Sequence, residues 1–298
     1  MNRKIKFKRY NILEDYSEVY GFLQDTYNLE TLNSYLLPQY FEYANYSPWF
    51  QRDEAHRMGI WKEESKIVAF AAYEMFPGTV HLHTRTGYEF LYPEMLAWAE
   101  KELAVVVEGR NVLKVCVTSN EENKIRLLEE NGYELSATKS SDIQVFSFEN
   151  EFVQTALPEG YRMINGNDAD FEKVALCFWE GFGAFQGEMK PEYVEGYRRI
   201  FSSPNGDKSL MTIIVEPEGE YACALGMWVD YTNHYAYLEP MATRPKYQGL
   251  GLGKAALLAA MEKTKQLGAT YCFGGSVPFY KAIGFKKIAS LDTWEKVL

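Results

Sequence analysis

The sequence lacks the features that mark membrane and secreted proteins. No apolar run among its 298 residues reaches the roughly 18 residues that a membrane-spanning helix needs. The first residues, MNRKIKFKRYN, contain no apolar core of a signal peptide. The four cysteines form no Cys-x-x-Cys pair, so neither a disulfide framework nor a zinc knuckle is indicated. We therefore expect a cytoplasmic protein that does not act in a membrane.

Positive charge is also scarce, because 41 Asp and Glu residues outweigh 31 Lys and Arg residues and give a net charge of −10. Binding along a nucleic acid needs a surplus of Lys and Arg on one face, so we expect no nucleic-acid partner. The acidic balance is compatible with a cationic small substrate. His81 and His83 share one face of a predicted strand, but no third ligand is recognisable near them, and we predict no metal site.

A weak internal repeat organises the chain. Both halves are predicted to begin with helices and to continue through strands, a helix, a buried strand and a short helix that ends at glycine. In this order Gly132 and Gly284 are counterparts. The segment Leu157-Pro-Glu-Gly-Tyr161 is typical of a boundary between domains. The pattern predicts an α+β fold with two domains, residues 1–150 and 151–298, each built on a mixed sheet.

The most specific feature is the segment Arg244–Lys254, RPKYQGLGLGK, which lies between a predicted strand and a long apolar helix. Its three glycines allow successive backbone N–H groups to point into one concavity, and the following helix adds further donors and a positive dipole end. Such a turn binds phosphate. The spacing fits neither a Walker A loop nor a Rossmann fingerprint. On these residues alone, a tight strand-to-helix connection is an equal alternative.

The turn resembles the pyrophosphate motif of the GNAT superfamily of N-acetyltransferases, Gln/Arg-x-x-Gly-x-Gly/Ala, through Gln248, Gly251 and Gly253. Downstream, Phe279-Tyr-Lys-Ala-Ile-Gly-Phe285 is similar to the Phe-Tyr-x-x-x-Gly-Phe segment of that family. The two motifs lie in the second half, whereas the first half shares only the order of elements. The resemblance implies tandem GNAT-like domains, each with a mixed, mostly antiparallel, twisted sheet flanked by helices.

The resemblance also implies acetyl-CoA as the acetyl donor and a primary amine of a small molecule as the acceptor. In the family, two neighbouring strands splay apart and the pantetheine arm lies between them. Ser276 stands where the family often has an asparagine, which leaves its role open. The residues that the resemblance assigns to the cofactor are Met241, Ala242, Thr243, Gln248, Gly249, Leu250, Gly251, Leu252, Gly253, Lys254, Ser276 and Tyr280.

Two residues are candidates for catalysis. Tyr280 aligns with the family's tyrosine that protonates the departing sulfur, and a phenol of pKa about 10 suits a general acid. Packing against the last helix is its alternative role. Glu239 is the candidate general base, directly or through water, because apolar neighbours would raise its carboxylate pKa. A solvated or salt-bridged carboxylate is the alternative. Pro240 has no N–H group, so it predicts a bulge in this strand.

The acceptor is expected beside the predicted helix and loop around residues 177–188. Trp179, Phe182 and Phe185 are candidates for an apolar wall, and Glu180 or Glu188 for steering a cation. An aromatic stripe at helical spacing equally fits core packing. A non-catalytic acyl-CoA sensor, another acyl donor and a peptide or protein amine are alternative functions, and a homodimer is an open option.

The first half lacks the glycines of the turn. Its counterpart segment, Thr86–Glu94, holds a single glycine among acidic and aromatic residues. We therefore expect a degenerate domain that does not bind coenzyme A. A helix is predicted over Leu29–Tyr43, because apolar residues recur there at helical spacing.

Overall fold

A computed structural model describes residues 4–138, 140–153, 155–183 and 187–298. Up to residue 150 the elements are β1 (Ile5–Arg9), α1 (Ile12–Asp25), α2 (Pro38–Tyr46), β2 (Gly59–Glu63), β3 (Lys66–Tyr73), β4 (Thr79–Thr84), α3 (Tyr92–Glu102), β5 (Val105–Val107), β6 (Arg110–Thr118), α4 (Glu122–Glu130), β7 (Glu134–Leu135) and β8 (Ser141–Ser147). After it they are β9 (Arg162–Ile164), α5 (Phe171–Phe182), α6 (Pro191–Ile200), β10 (Thr212–Val215), β11 (Tyr221–Asp230), β12 (Tyr235–Thr243), α7 (Leu252–Gln266), β13 (Tyr271–Gly274), α8 (Pro278–Ile283) and β14 (Lys286–Val297).

The described chain divides into two compact units. Unit 1 comprises the described residues up to Asn45 together with Trp49–Ile143 and Ile288–Leu298. Unit 2 comprises Tyr46–Pro48 and Gln144–Lys287.

Unit 1 is built on a mixed sheet in the order β1-β2-β3-β4-β6-β14, with β5 beside β6 and β7 beside β14. The pair β4–β6 is parallel and the other pairs are antiparallel. Every residue of β3 after Lys66 is buried. A nearly continuous apolar run of this kind forms a strand that is covered on both faces.

Unit 2 has a mixed sheet in the order β8-β13-β12-β11-β10-β9, in which only the pair β12–β13 is parallel among the described strands. Helix α5 begins where the Asp170 side chain accepts a hydrogen bond from the backbone N–H of Glu172, at 2.9 Å. It ends at Gly183 in the left-handed conformation, with φ of 60°. The predicted α+β class, with mostly antiparallel sheets flanked by helices, is confirmed in both units.

Each sheet contains a strand that the predicted boundary assigns to the other half of the chain. The last strand, β14, pairs with β6 from Leu291 opposite Thr118 to Val297 opposite Val112. Strand β8 pairs with β13 of unit 2. The two units therefore differ from the predicted ranges, 1–150 and 151–298, at these strands and at Tyr46–Pro48, which belongs to unit 2. Apolar alternation reveals which face of a strand is buried, but not which strand lies beside it.

The segment predicted as one helix over Leu29–Tyr43 is divided in the structure. A short turn over Leu32–Tyr35 has positive φ at each of its residues, and α2 begins only at Pro38. Proline favours the first position of a helix because its missing N–H has no helical partner there. Within the described residues, no helix is both long and apolar enough to cross a membrane.

Candidate active site

Strands β12 and β13 separate in the middle of unit 2. They pair in parallel from Tyr235 opposite Tyr271 only as far as Tyr237 opposite Phe273. Strand β12 continues to Thr243, whereas β13 ends at Gly274. Among the described strands, the last residues of β12 therefore pair with β11 alone. Their other edge offers backbone groups for hydrogen bonding.

A bulge lies where the strands separate. Leu225 of β11 stands opposite Met241, and Met227 stands opposite Leu238. One residue of β11, Gly226, therefore faces two of β12, Glu239 and Pro240, as in a β-bulge. Proline cannot donate to the ladder. The bulge predicted from Pro240 is confirmed.

Close contacts fix the bulge. A Cβ atom at Gly226 would lie 2.7 Å from the carbonyl oxygen of Glu239 and 2.4 Å from Cε1 of Phe201, so no larger residue fits there. The indole Nε1 of the buried Trp228 donates to the same carbonyl oxygen at 2.9 Å. The carbonyl of Glu239 is thus held by a side-chain donor of the neighbouring strand.

The glycine turn follows β12 and opens α7. Gly249 and Gly251 have φ of 81° and 77°, in the left-handed region that favours glycine. Gly253 lets the helix approach the strand, because a Cβ there would lie 3.2 Å from Cε of Met241. The side-chain amide of Gln248 donates to the carbonyl of Thr243 at 3.1 Å and ties the turn to the strand.

The open edge of β12, the glycine turn and the start of α8 enclose a cavity of about 560 Å³, which is called the β12 cleft. Its lining residues are Gly181, Met241, Ala242, Thr243, Tyr247, Gln248, Gly249, Gly251, Leu252, Gly253, Lys254, Val277, Phe279 and Tyr280. Two predicted cofactor contacts, Leu250 and Ser276, are exposed and are not among these residues. A glycine cradle beside an open strand edge fits a phosphate and an extended amide-bearing arm.

Tyr280 closes one end of the β12 cleft. Its hydroxyl lies 3.9 Å from the sulfur of Met241, and its ring packs so tightly on Gly275 that a Cβ there would lie 2.6 Å away. Burial, reinforced by the charge of Glu239, raises the pKa of the Tyr280 phenol well above its usual value. The hydroxyl therefore stays protonated at neutral pH and is able to donate a proton.

Glu239 lies near two buried phenols. Its charge adds to burial in raising the pKa of both Tyr280 and Tyr197. Tyr197 is on α6, where its ring stacks on Phe178 with centroids 4.8 Å apart. The sequence did not single out Tyr197, because a tyrosine on the apolar face of an amphipathic helix looks like any core residue.

The predicted acceptor residues of α5 do not line the β12 cleft. Trp179 packs on Tyr193, and Phe182 stacks on Phe178 with its side chain 41% exposed. Glu188 is exposed, and Phe185 lies outside the described residues. Helix α5 instead reaches the cleft through Gly181, where a Cβ would lie 2.6 Å from the Cβ of Ala242.

Unit 1 has the same separation of strands but fills it with its own chain. Strands β4 and β6 pair in parallel only as far as His81 and Cys116. Beyond this point the turn Leu32–Tyr35 is bonded to β4, since the Ser34 carbonyl lies 2.9 Å from Nδ1 of His81 and its hydroxyl donates to the carbonyl of Leu82 at 3.3 Å. This turn occupies space between the separated strands, in addition to the missing glycines on which the predicted degeneracy rests.

The two histidines belong to this filled region. Burial lowers the pKa of His81 to about 4 and that of His83 to about 3, so both rings are neutral at physiological pH. Within the described residues, no group of three or more His, Cys, Asp or Glu side chains is arranged to hold a metal ion.

A mixed sheet that separates beside a glycine turn and a helix start is the arrangement expected from the resemblance to the GNAT superfamily. Residues 173–285 match the model of the Acetyltransferase (GNAT) family, which lies within unit 2. Residues 173–285 therefore form a GNAT domain. No curated protein matches the chain.

Solved structures share the fold over nearly the whole chain. A tandem GNAT protein from the clavulanic acid biosynthesis pathway is 13% identical with a TM-score of 0.64, covering 99% of this chain and 98% of its own. A GCN5-related N-acetyltransferase from Sphaerobacter thermophilus is 13% identical with a TM-score of 0.61, covering 98% and 95%. Saccharomyces cerevisiae N-myristoyltransferase with bound myristoyl-CoA and inhibitors is 13% identical with a TM-score of 0.56, covering 98% and 79%.

Proposed function

We propose that unit 2 transfers an acetyl group from acetyl-CoA to the primary amine of a small molecule. The observation that carries the proposal is the β12 cleft itself, in which an open strand edge, a glycine turn and a buried tyrosine converge. Bound acetyl-CoA would supply a thioester, whose acyl carbon bonds the amine nitrogen while the carbon–sulfur bond breaks.

Each part of the cleft has a role in this reaction. The backbone of Met241, Ala242 and Thr243 would bind the pantetheine amides at the open edge of β12. The turn Gln248–Gly253 would hold the pyrophosphate, with Lys254 adding positive charge at the start of α7. Leu250 is exposed on this turn, so its contribution would come from its backbone rather than from its side chain.

Proton transfer is assigned to two side chains. Tyr280 would donate its phenolic proton to the departing thiolate, because its raised pKa keeps it protonated. Glu239, directly or through a water molecule, would accept the proton that the attacking amine loses. Amide and free coenzyme A thiol are then the products, and the proton taken up by Glu239 returns through solvent to the Tyr280 phenolate, which restores both side chains.

The acceptor is proposed to be a small cationic amine that enters on the α5 side. Trp179, Phe182 and Glu188 would line its approach outside the β12 cleft. Glu180 is not assigned to steering a cation in this proposal, because its carboxylate accepts two hydrogen bonds from Arg244. Unit 1 would bind no coenzyme A, because its own turn lies between its separated strands.

The test is calorimetric titration of the full chain with acetyl-CoA and longer acyl-CoAs, followed by assays of thiol release with a panel of amines. We expect one acetyl-CoA per chain and thiol release only when an amine is present. Affinity without thiol release across the panel would indicate an acyl-CoA sensor. Tighter binding and faster turnover of a long-chain acyl-CoA would show that the transferred group is a longer acyl group and not acetyl.

A further inference from the structure

A buried arginine lies between the two parts of the β12 cleft. Arg244 follows Thr243 of the open strand and precedes Tyr247 and Gln248 of the turn, yet it does not line the cleft itself. Its side chain is only 7% exposed. Its backbone N–H donates to the carbonyl of Ala222 at 3.0 Å, and its carbonyl accepts from the N–H of Tyr247 at 2.9 Å.

The guanidinium of Arg244 makes a two-point contact with helix α5. Nε donates to Oε2 of Glu180 at 2.6 Å, and Nη2 donates to Oε1 of the same carboxylate at 2.9 Å. Nη1 donates to Glu220 at 3.1 Å. Two parallel bonds from a planar guanidinium fix orientation as well as distance, which a lysine cannot do.

The residue after Glu180 is Gly181, the point where α5 meets the cleft. A Cβ atom at Gly181 would lie 2.6 Å from the Cβ of Ala242 and 3.3 Å from backbone atoms of Thr243. The helix backbone is thus in direct contact with the strand segment that would bind the pantetheine arm. A small movement of the end of α5 changes the width of the cleft at this point.

We infer that Arg244 and Glu180 are positioning residues of the acyl-CoA site. Their ion pair holds Gly181 against Ala242 and Thr243, and it anchors the glycine turn in the orientation that receives the pyrophosphate. The inference rests on the proposed function for its ligand. Neither side chain contacts that ligand, so their effect is on cofactor affinity and not on the chemical step.

The test compares Arg244→Lys and Glu180→Gln with wild type in the full chain. Arg244→Lys keeps the charge but loses the two-point contact, and Glu180→Gln keeps a neutral hydrogen bond at a carboxylate that is 36% exposed. We expect the Kd and KM for acetyl-CoA to rise about tenfold, with kcat and the KM of the amine within about threefold of wild type. Hydrogen exchange of residues 241–252 should become faster in the ligand-free variants.

Two matched controls separate positioning from general stability. Arg198→Lys alters an exposed Arg–Glu pair of α6 in the same unit, and Ile214→Val trims the buried core on β10. Both should retain wild-type acetyl-CoA affinity, although the second lowers the melting temperature. If Arg244→Lys does not fold, Glu180→Gln decides the test alone, because its side chain is partly exposed.

Unchanged acetyl-CoA affinity and unchanged exchange in the folded variants would overturn the inference, as would an equal loss of affinity in Ile214→Val. If wild type does not bind acyl-CoA, the proposed function fails. Hydrogen exchange then still shows whether the ion pair orders the turn, since it is measured without ligand.

Discussion

The indole N–H of Trp228 donates a hydrogen bond of 2.9 Å to the carbonyl oxygen of Glu239. The bond joins neighbouring strands at the bulge, where the ladder itself is interrupted. It gives the carbonyl of Glu239 a side-chain donor at this position. The side chain of Glu239 starts from a backbone position that this bond helps to fix.

Replacing Trp228 with Phe should loosen the bulge without removing the aromatic ring. The carbonyl of Glu239 loses its donor, so the free energy of unfolding should fall by about 1–3 kcal/mol. We expect kcat to fall roughly tenfold, because a displaced catalytic group reacts less often in the right geometry. The affinity of Trp228→Phe for acetyl-CoA should equal that of the wild type. Trp294→Phe is the control, since Nε1 of Trp294 has no hydrogen-bond partner within the described chain; equal kinetic losses in both variants would contradict the assigned role.

Gly251→Val should abolish acetyl-CoA binding, because a branched side chain at the turn would occupy the space of the pyrophosphate. The φ of 77° at this glycine also makes any larger residue strained, at a cost of about 1–3 kcal/mol. Gly219→Val is a matched control, since Gly219 has φ of 94° in a hairpin away from the cleft and open space around it. Both variants should lose similar stability, measured by urea unfolding. Retained affinity in folded Gly251→Val would show that the turn does not bind phosphate.

Tyr280→Phe should lower kcat by roughly 10²-fold or more, as general acid catalysis typically contributes that much. Acetyl-CoA affinity should change little. Because the pKa of Tyr280 is raised, the phenol remains protonated as the pH rises through its ordinary range, so the wild-type rate should not decline there on its account. Tyr271→Phe, on the neighbouring strand, serves as the control. If Tyr280→Phe keeps most of the wild-type kcat, the general acid is water or another residue.

The stability of unit 1 should depend on pH through its buried histidines. The folded pKa values of His81 and His83, about 4 and about 3, lie below the ordinary value of 6.5. The unfolded chain therefore binds protons first as the pH falls below 6.5, and stability is lost towards pH 4, by up to about 1.4 kcal/mol per pH unit for each histidine. Hydrogen exchange of β4, measured between pH 7 and pH 4.5, checks this. An unchanged free energy of opening across that range would show that the rings are accessible to protons in the folded state.

Local signals in the sequence predicted local structure well. The short helix predicted to end at Gly284 is α8, which begins at Pro278, a residue that suits a helix start, and ends where Gly284 adopts the left-handed conformation. The glycine turn is likewise predicted by residues that are neighbours in the sequence. The turn at Leu32–Tyr35 was missed, because its positive φ angles are stabilised by distant partners such as His81 and Glu121. Arg244 and Gly181 were not assigned to the site for the same reason, since contacts with another helix or strand define their positions.

Strands β8 and β14 each lie in the sheet of the other half of the chain, and this leads to a prediction about how the chain can be divided. A fragment of residues 151–298 lacks β8, so the edge of β13 loses its antiparallel neighbour. It also retains β14, whose partner β6 is absent. Unpaired strand edges and uncovered apolar residues promote aggregation, and we expect this fragment to be poorly soluble and weakly active.

A fragment of residues 141–287 differs from residues 151–298 in both of these strands. It keeps β8 beside β13 and omits β14, so each described strand of unit 2 keeps its neighbours within that unit. We expect it to be more soluble than residues 151–298 and to bind acetyl-CoA through the β12 cleft, although it lacks Tyr46–Pro48 of unit 2. The measurements are soluble yield, circular dichroism and calorimetry on both fragments, with the full chain as reference. Equal solubility of the two fragments would mean that the presence of β8 and the removal of β14 contribute little to the stability of unit 2. Full activity of residues 151–298 would further show that β8 is dispensable for the site.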